Sequence, residues 1–403
     1  MLLQTIWEIH SVLDIMNEIL NTGIIGVGNI GSAHAAAIYS GRVRGMRLSA
    51  LCDTDAERRK KLSEVYPDIP VFESAEELIS SGKAQAVIIA TPHYGHVPIA
   101  VKAFAAGLHV LTEKPAGVAC ADVRSAIYEA EKSGKKFAVM FNQRTNKLFR
   151  AAKDIVSSGC LGEIKRISYV ITNWYRKQSY YDSGDWRATW SGEGGGVLIN
   201  QAPHNLDILQ WICGMPESVY AVCGVGRYHD INVEDDATLL MRYKNGATAV
   251  FIASTGEFPG TNRLEICGTR GKILIENGKL THTSLAMDER EYRYSSDSYK
   301  NEISVCEVTD EKYNGHINIL ENFASSVLLG EALIARGEEA IAELTLSNAA
   351  YLSSWLGKEI TLPMDDILYA DMLKGKSEAE VSERREKREE LQFSYKERWN
   401  TQW

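Results

Sequence analysis

The sequence predicts an α/β fold in two parts: a doubly wound parallel sheet, then an α+β domain built on a mostly antiparallel open sheet. Three observations predict it. Apolar runs alternate with helix-compatible segments from residue 22 to about 141. A glycine-rich turn, Gly26-Val27-Gly28-Asn29-Ile30-Gly31, joins the first apolar run to the first helical segment. Beyond about residue 157, strand-like runs follow one another, separated by turns such as Lys244-Asn245-Gly246. Alternating strands and helices imply a parallel sheet with helices on its faces. Successive strands joined by short turns imply antiparallel pairing.

The elements follow in order. Residues 1–20 carry Leu2, Ile6, Ile9, Leu13, Met16 and Leu20 at helical spacing, interrupted by Glu8, Asp14 and Glu18. No basic region precedes them, so this N-terminal extension is not a secretory signal. It reads equally as a short amphipathic helix or as sequence upstream of a start at Met16. Residues 21–145 form the first domain. Its strands are expected at 22–27, 46–52, 86–90, 109–112 and 136–141, with helices at 32–39, 95–106 and 121–133. The all-apolar run at 86–90 suits a strand buried on both faces. Ser74 with Glu77 forms a capping box for a helix ending near Ile79. Residues 146–365 form the second domain. It opens on a helix at 148–157, and strands follow at 164–173, 219–226, 237–243, 247–255, 262–267 and 272–276. One helix is expected near 204–211, and late helices at 318–328 and 338–355 return to the first domain. Residues 366–403 are a charged tail with i,i+4 pairs Glu380–Arg384 and Glu383–Lys387, read as a solvated helix.

Bulk properties narrow the function. A chain of 403 residues with 45% hydrophobic content fills two cores. A net charge of −9 and the lack of a basic stretch argue against nucleic acid. No run has the length of a membrane span. The seven cysteines are scattered, without zinc-like spacing, and read as reduced thiols of a cytoplasmic protein with no metal site.

The glycine run carries the first chemistry. Gly26 permits a tight turn, Gly28 lets backbone N–H groups approach a pyrophosphate, and Gly31 allows close packing of helix on strand. The helix N-terminus, with Asn29 and Ile30, offers unpaired donors to phosphate. Asp53 ends the second apolar run 22 residues after Gly31, where an acid can accept bonds from the ribose hydroxyls. These features specify a dinucleotide site, and the acid favours NAD over NADP. Arg58 and Arg59, one helical turn on, are the residues that could weaken that preference.

Glu113-Lys114-Pro115 follows the 109–112 strand, at the sheet edge where ligands of open α/β folds bind. A half-buried lysine there is fitted for proton handling. Glu193-Gly194-Gly195-Gly196 leads through Asn200 to His204 and Asp207. This glycine backbone can approach a ligand, and His204 points from a helix start, with Asp207 either orienting it or capping. A third stretch, Trp174-Tyr175-Arg176, Tyr180-Tyr181 and Trp186-Arg187-Ala188-Thr189-Trp190, mixes flat aromatic faces with hydrogen-bond donors, as carbohydrate sites do. Its alternative role is to brace the interdomain seam.

The set Gly26–Gly31, Ala90-Thr91-Pro92, Glu113-Lys114-Pro115 and Gly194-Gly195-Gly196…His204…Asp207 resembles the Gfo/Idh/MocA oxidoreductase family, over about residues 22 to 365. The resemblance implies a Rossmann domain and a second domain whose sheet forms homo-oligomer contacts, as dimer, tetramer or higher. Thr91 and Pro92 would line the nicotinamide end, with His93, His96, Glu113, Lys114 and Asn142 also assigned to NAD. Lys114 and His204 would act on the substrate hydroxyl. Many members carry Asp where Asn200 stands. A carboxamide cannot accept a proton as a base, so the base role falls to His204, with Lys114 assisting. The substrate set is then Lys114, Asn142, Trp174, Tyr175, Arg176, Arg187, Trp190, Asn200 and His204. The segment from Trp186 to His204 looks like the branch that oxidises glycosides, which implies NAD-dependent oxidation of a sugar or glycoside at C3 of a glucoside. The alternatives are an inositol 2-dehydrogenase, an NAD-dependent glycosidase and a non-catalytic NAD/sugar sensor.

Overall fold

A computed structural model describes residues 19–296, 298–309 and 313–398, with side chains as far as residue 382. The amphipathic stripe of residues 1–18 and the partners Arg384 and Lys387 of the expected helical ion pairs lie outside those described side chains.

The first sheet has six parallel strands: β1 (Leu20–Ile25), β2 (Met46–Cys52), β3 (Val71–Phe72), β4 (Ala86–Ile89), β5 (His109–Thr112) and β6 (Phe137–Val139). Their spatial order is β3-β2-β1-β4-β5-β6. The order reverses between β1 and β4, and such a switch point opens a crevice at the carboxyl ends of the strands. All four residues of β4 are fully buried, as its unbroken apolar run requires. The helices Asn29–Tyr39, His96–Ala105 and Cys120–Ser133 provide the crossovers that flank this crevice.

The second sheet has nine strands: β7 (Ile164–Ile171), β8 (Ser218–Val225), β9 (Glu234–Arg242), β10 (Thr248–Ser254), β11 (Asn262–Gly268), β12 (Gly271–Glu276), β13 (Lys279–Leu285), β14 (Ile303–Thr309) and β15 (Ile360–Thr361). The order is β14-β13-β12-β11-β7-β10-β9-β8-β15, antiparallel except where β7 pairs with β10. Sequence reasoning missed β13, β14 and β15. β14 is mostly exposed, and its alternating Ile303 and Val305 face outward instead of into a core. β15 is two residues long.

One face of this sheet buries Val219, Ala221, Leu239 and Met241 beneath the helix Ala340–Leu356. That helix is stitched to β8 by Ser353 and Ser354, whose hydroxyls accept from the amides of Ala221 at 2.9 Å and Cys223 at 3.1 Å. The helix Gly315–Leu329 lies against β1 and β2, with Arg44 and Glu321 paired at 3.0 Å. Among the described residues no helix is long and apolar enough to cross a membrane.

Candidate active site

The glycine turn is shaped for a ligand. Gly26 has φ +87°, and a Cβ there would lie 2.7 Å from the carbonyl of Ala90 and the amide of Thr91. The loops after β1 and β4 therefore meet at the switch point. A Cβ on Gly31 would lie 2.0 Å from the Gly26 carbonyl, so the helix Asn29–Tyr39 can sit this close only with glycine. Gly28 differs: a Cβ there would meet nothing within 4 Å. Its face is open, as pyrophosphate approach requires. At the adjoining loop the Thr91 hydroxyl is buried without a partner among the described residues. Asp53, at the end of β2, accepts from the amides of Val27 (2.8 Å) and Asp55 (3.0 Å) and pairs with Arg58 at 3.0 Å. These residues fit a dinucleotide.

The next loop turns on a buried pair. His34, from the first crossover helix, lies 2.8 Å from the Glu113 carboxylate. Burial pushes Glu113 up, but the bond and charge of His34, with the charge of Lys114, bring it down to about 2. Its neighbour Lys114 donates from Nζ to the Asn200 carbonyl at 2.6 Å. Burial lowers the Lys114 pKa, opposed by Glu113, Glu193 and Glu343. Both ring nitrogens of His96 face backbone carbonyls. Its Nδ1 lies 2.7 Å from the Pro115 carbonyl and its Nε2 2.8 Å from that of Thr91. It therefore ties the loops after β4 and β5 together and positions both. His93 donates from Nδ1 to the Glu193 carbonyl at 2.8 Å, which joins the first domain to the second-domain loop.

That second-domain loop is the centre of the site. Glu193 is buried, and its carboxylate accepts from the Ala188 amide at 2.7 Å and from the Asn200 carboxamide. Burial raises it to about 7, against the pull of the Ala188 bond and of Arg187 and Lys114. Gly195 and Gly196 are required by contact: a Cβ would lie 2.2 Å from the Tyr351 hydroxyl and 1.9 Å from the Glu234 carbonyl, respectively. The Glu234 carboxylate accepts from the amides of Gly196 (2.9 Å) and Leu198 (2.8 Å) and from the Tyr351 hydroxyl (2.7 Å).

His204 lies in the first turn of the helix Pro203–Cys213, whose Pro203 occupies the N-terminal position that proline favours. Its Nδ1 is buried without a partner among the described residues. Burial, with the charge of Lys114, lowers His204 to about 3, so the ring is neutral at pH 7. Asp207 does not orient it, which corrects one of the two roles that the i+3 spacing suggested. Asp207 is fully buried in a two-pronged pair with Arg144, at 2.9 Å to Nε and 2.7 Å to Nη2. Arg144 is 1% exposed and also bonds the Glu339 carboxylate. A bidentate charged partner out-competes a neutral imidazole for the carboxylate. Arg144 was not singled out in the sequence, where nothing distinguishes it from a surface arginine.

The aromatic stretch divides. Tyr180 is a hub whose hydroxyl accepts from Arg187 at 2.9 Å and Asn200 at 3.3 Å. Arg187 lies over the rings of Tyr180 (4.7 Å) and Trp186 (4.4 Å), and Arg176 over Tyr180 (5.0 Å) and Trp174 (5.4 Å). Trp174, Arg176, Arg187 and Asn200 are thereby brought together beside Lys114 and Glu193. Tyr175 is not: it is exposed and leans on the exposed Phe258. Trp190 is buried, with its ring 5.4 Å from those of Tyr351 and Trp355. This corrects its assignment to the substrate: those rings meet it edge-on at 80° and 73°, and only 5% of Trp190 is exposed. Asn142 is buried, with Nδ2 3.1 Å from the His316 ring nitrogens and Oδ1 unpartnered. His316, from the late helix Gly315–Leu329, lies 5.7 Å ring to ring from His34. No spacing in the sequence pointed to it.

Two family models match this chain: an NAD-binding Rossmann oxidoreductase domain over residues 20–141 and a Gfo/Idh/MocA C-terminal domain over residues 149–274. The chain belongs to the Gfo/Idh/MocA family. It is 26% identical over 340 residues to myo-inositol 2-dehydrogenase of Thermotoga maritima, covering 82% of this chain and 95% of that protein. Inositol 2-dehydrogenase of Rhizobium meliloti is 23% identical, over 84% and 98%. The WlbA dehydrogenase of Bordetella pertussis, solved with NADH and UDP-GlcNAcA, superposes with a TM-score of 0.73 at 25% identity, over 86% of this chain and all of that one. The family and the fitted cradle agree that the cofactor is NAD and that the chain is an oxidoreductase acting on CH–OH groups.

Proposed function

We propose that this dehydrogenase oxidises a secondary ring hydroxyl of a sugar or glycoside, at C3 of a glucoside. The observation that carries the reading is the convergence of Lys114, Asn200, the buried His204 and the arginine-flanked Tyr180 in one cleft. NAD, when bound, supplies the hydride acceptor. His204 is neutral throughout the physiological range but a weak base, so it takes the hydroxyl proton only as the C–H bond breaks and the O–H becomes strongly acidic. Lys114, held on the Asn200 carbonyl, donates to the substrate oxygen and keeps the proton acceptor beside it. Asn200 binds a neighbouring hydroxyl, and Arg176 and Arg187 hold hydroxyls further along the ring. Holding the reacting atoms at about 3–3.5 Å is the principal contribution of such a cleft.

The inositol dehydrogenases among the relatives supply the second reading, because myo-inositol presents a similar ring of hydroxyls. Retention of both Lys114 and His204 in one cleft opposes a purely sensing role. NADH formation across glucosides, free sugars and inositols, with product analysis, tests the proposal. A 3-keto glycoside is the expected product. Preference for inositol over every glycoside moves the assignment to inositol oxidation, and NAD binding without turnover on the whole panel favours the sensor. Self-association through the second sheet belongs to the same reading, supported by the exposed side chains Tyr220, Val222 and Leu240. Sedimentation of Leu240→Glu against the wild type tests it, and unchanged mass would refute it.

A further inference from the structure

We propose that Glu380, on the C-terminal helix Asp366–Arg398, is a positioning residue for the substrate loop. This inference rests on the sugar-dehydrogenase reading above. Glu380 is 4% exposed, deep for a carboxylate on a helix whose composition reads as solvated. Its Oε2 accepts from the Ser191 amide at 3.0 Å and the Ser191 hydroxyl at 2.7 Å. Its Oε1 accepts from the Trp190 amide at 3.3 Å and the Asn232 carboxamide at 3.2 Å. One side chain thus gathers the turn that precedes Glu193, and Glu193 in turn holds Asn200, on whose carbonyl Lys114 rests.

The helix packs on the nucleotide domain through the buried Tyr369 and Leu373, and the Tyr369 hydroxyl donates to the Val118 carbonyl at 3.3 Å. A cavity of about 530 Å³, lined by Tyr94, Val118, Ser191, Leu373, Ser377 and Val381, lies beside that contact. The turn is held from the other side by Tyr94, whose hydroxyl donates to the Trp190 carbonyl at 2.7 Å. Lys376 lies 5.9 Å over the Trp190 ring. Charge-assisted bonds to backbone amides are about twice as strong as neutral ones. Glu380 therefore fixes where the Trp190–Glu193 segment sits, and with it the distance from Asn200 to the sugar.

The test compares Glu380→Ala, Glu380→Gln and Ser191→Ala with the wild type. Glu380→Ala is expected to raise KM for the oxidised sugar about tenfold, with a smaller loss of kcat and NADH affinity within about twofold of wild type. Glu380→Gln, which keeps one acceptor oxygen on the turn, is expected to recover part of the loss. Ser191→Ala should raise KM alone but add little to Glu380→Ala, because the two share one interaction. Hydrogen exchange of the segment 186–196 should accelerate in Glu380→Ala while that of the glycine turn 26–31 does not. Unchanged KM in a folded Glu380→Ala, or equal loss of sugar and NADH affinity, overturns the proposal. If Glu380→Ala does not fold, the Gln and Ser191 variants decide by the same criteria. If the wild type oxidises no sugar, the reaction reading fails, and the exchange measurement alone decides whether Glu380 holds the loop.

Discussion

Replacing Glu193 by glutamine should change how stability depends on pH, in a direction the burial fixes. Glu193 is raised from 4.5 to about 7, chiefly by desolvation. Its folded pKa exceeds its unfolded one, so the native chain binds more protons than the unfolded chain between those values. The contribution of this group is fully present below pH 4.5 and is lost as pH rises through 7. A shift of this size corresponds to about 3 kcal/mol. The histidines confuse a direct reading of the wild type. His204, lowered to about 3, titrates in the opposite sense between 3 and 6.5. The difference between wild type and Glu193→Gln cancels that background. Urea unfolding at pH 5 and pH 8 should therefore show the stability of Glu193→Gln relative to wild type improving by about 2.5 kcal/mol on going to pH 8, part of the window already being spent at pH 5. A relative change below about 1 kcal/mol, against the unit cost of one pKa shift, would refute the claim that burial holds this carboxyl near neutrality.

Lys114→Ala and His204→Ala should each lower kcat by about 10²–10⁴, with NAD binding little changed for His204→Ala; near-normal kcat in both folded variants would remove them from the chemistry. NAD should be used in preference to NADP: we propose that Asp53 accepts from the ribose hydroxyls and would repel a 2′-phosphate, and its 3.0 Å pair with Arg58 keeps that guanidinium engaged. Asp53→Ser releases Arg58 and should narrow the ratio of kcat/KM values; a wild type that prefers NADP would contradict this. Asp207→Ala should cost about 3 kcal/mol in urea unfolding, since it strips a buried arginine of its main partner. The double change with Arg144→Met should cost less than Asp207→Ala alone.

How much of this was legible in the sequence follows from the kind of constraint involved. Gly26 and Gly31 were legible because backbone sterics admit no other residue there, and Asp53 because the distance from turn to strand end is set by one βαβ unit. Lys114 and His204 were legible as family positions, and the cleft gathers both. Buried ion pairs were not legible. Arg144 and Asp207 lie 63 positions apart and meet only because a short 3₁₀ turn, Asn142–Thr145, faces the helix Pro203–Cys213. The i+3 spacing of Asp207 from His204 was a local signal, and a long-range charge overrode it. Trp190 failed for a related reason: an aromatic near a sugar site and an aromatic in a seam have the same local sequence, and only Tyr351 and Trp355, more than 150 positions away, separate the two.

The glycine loop poses a problem that explains three otherwise scattered acids. From Ala188 to Leu198 the chain is buried and mostly irregular, so its amides find few partners in a helix or sheet. Buried amides must nevertheless be paired. Glu193 takes the Ala188 amide, Glu380 those of Trp190 and Ser191, and Glu234 those of Gly196 and Leu198. A carboxyl group suits this task because it offers two oxygens that can accept from backbone N–H groups. Glycine suits it because Gly195 and Gly196 must pass within contact of Tyr351 and Glu234. The acids come from the loop itself, from β9 and from the C-terminal helix, so three parts of the chain must be in place before Asn200 and His204 are. Loss of any one carboxylate should therefore act on sugar binding before it acts on the nucleotide turn, whose shape depends on Gly26, Gly31 and Ala90 instead.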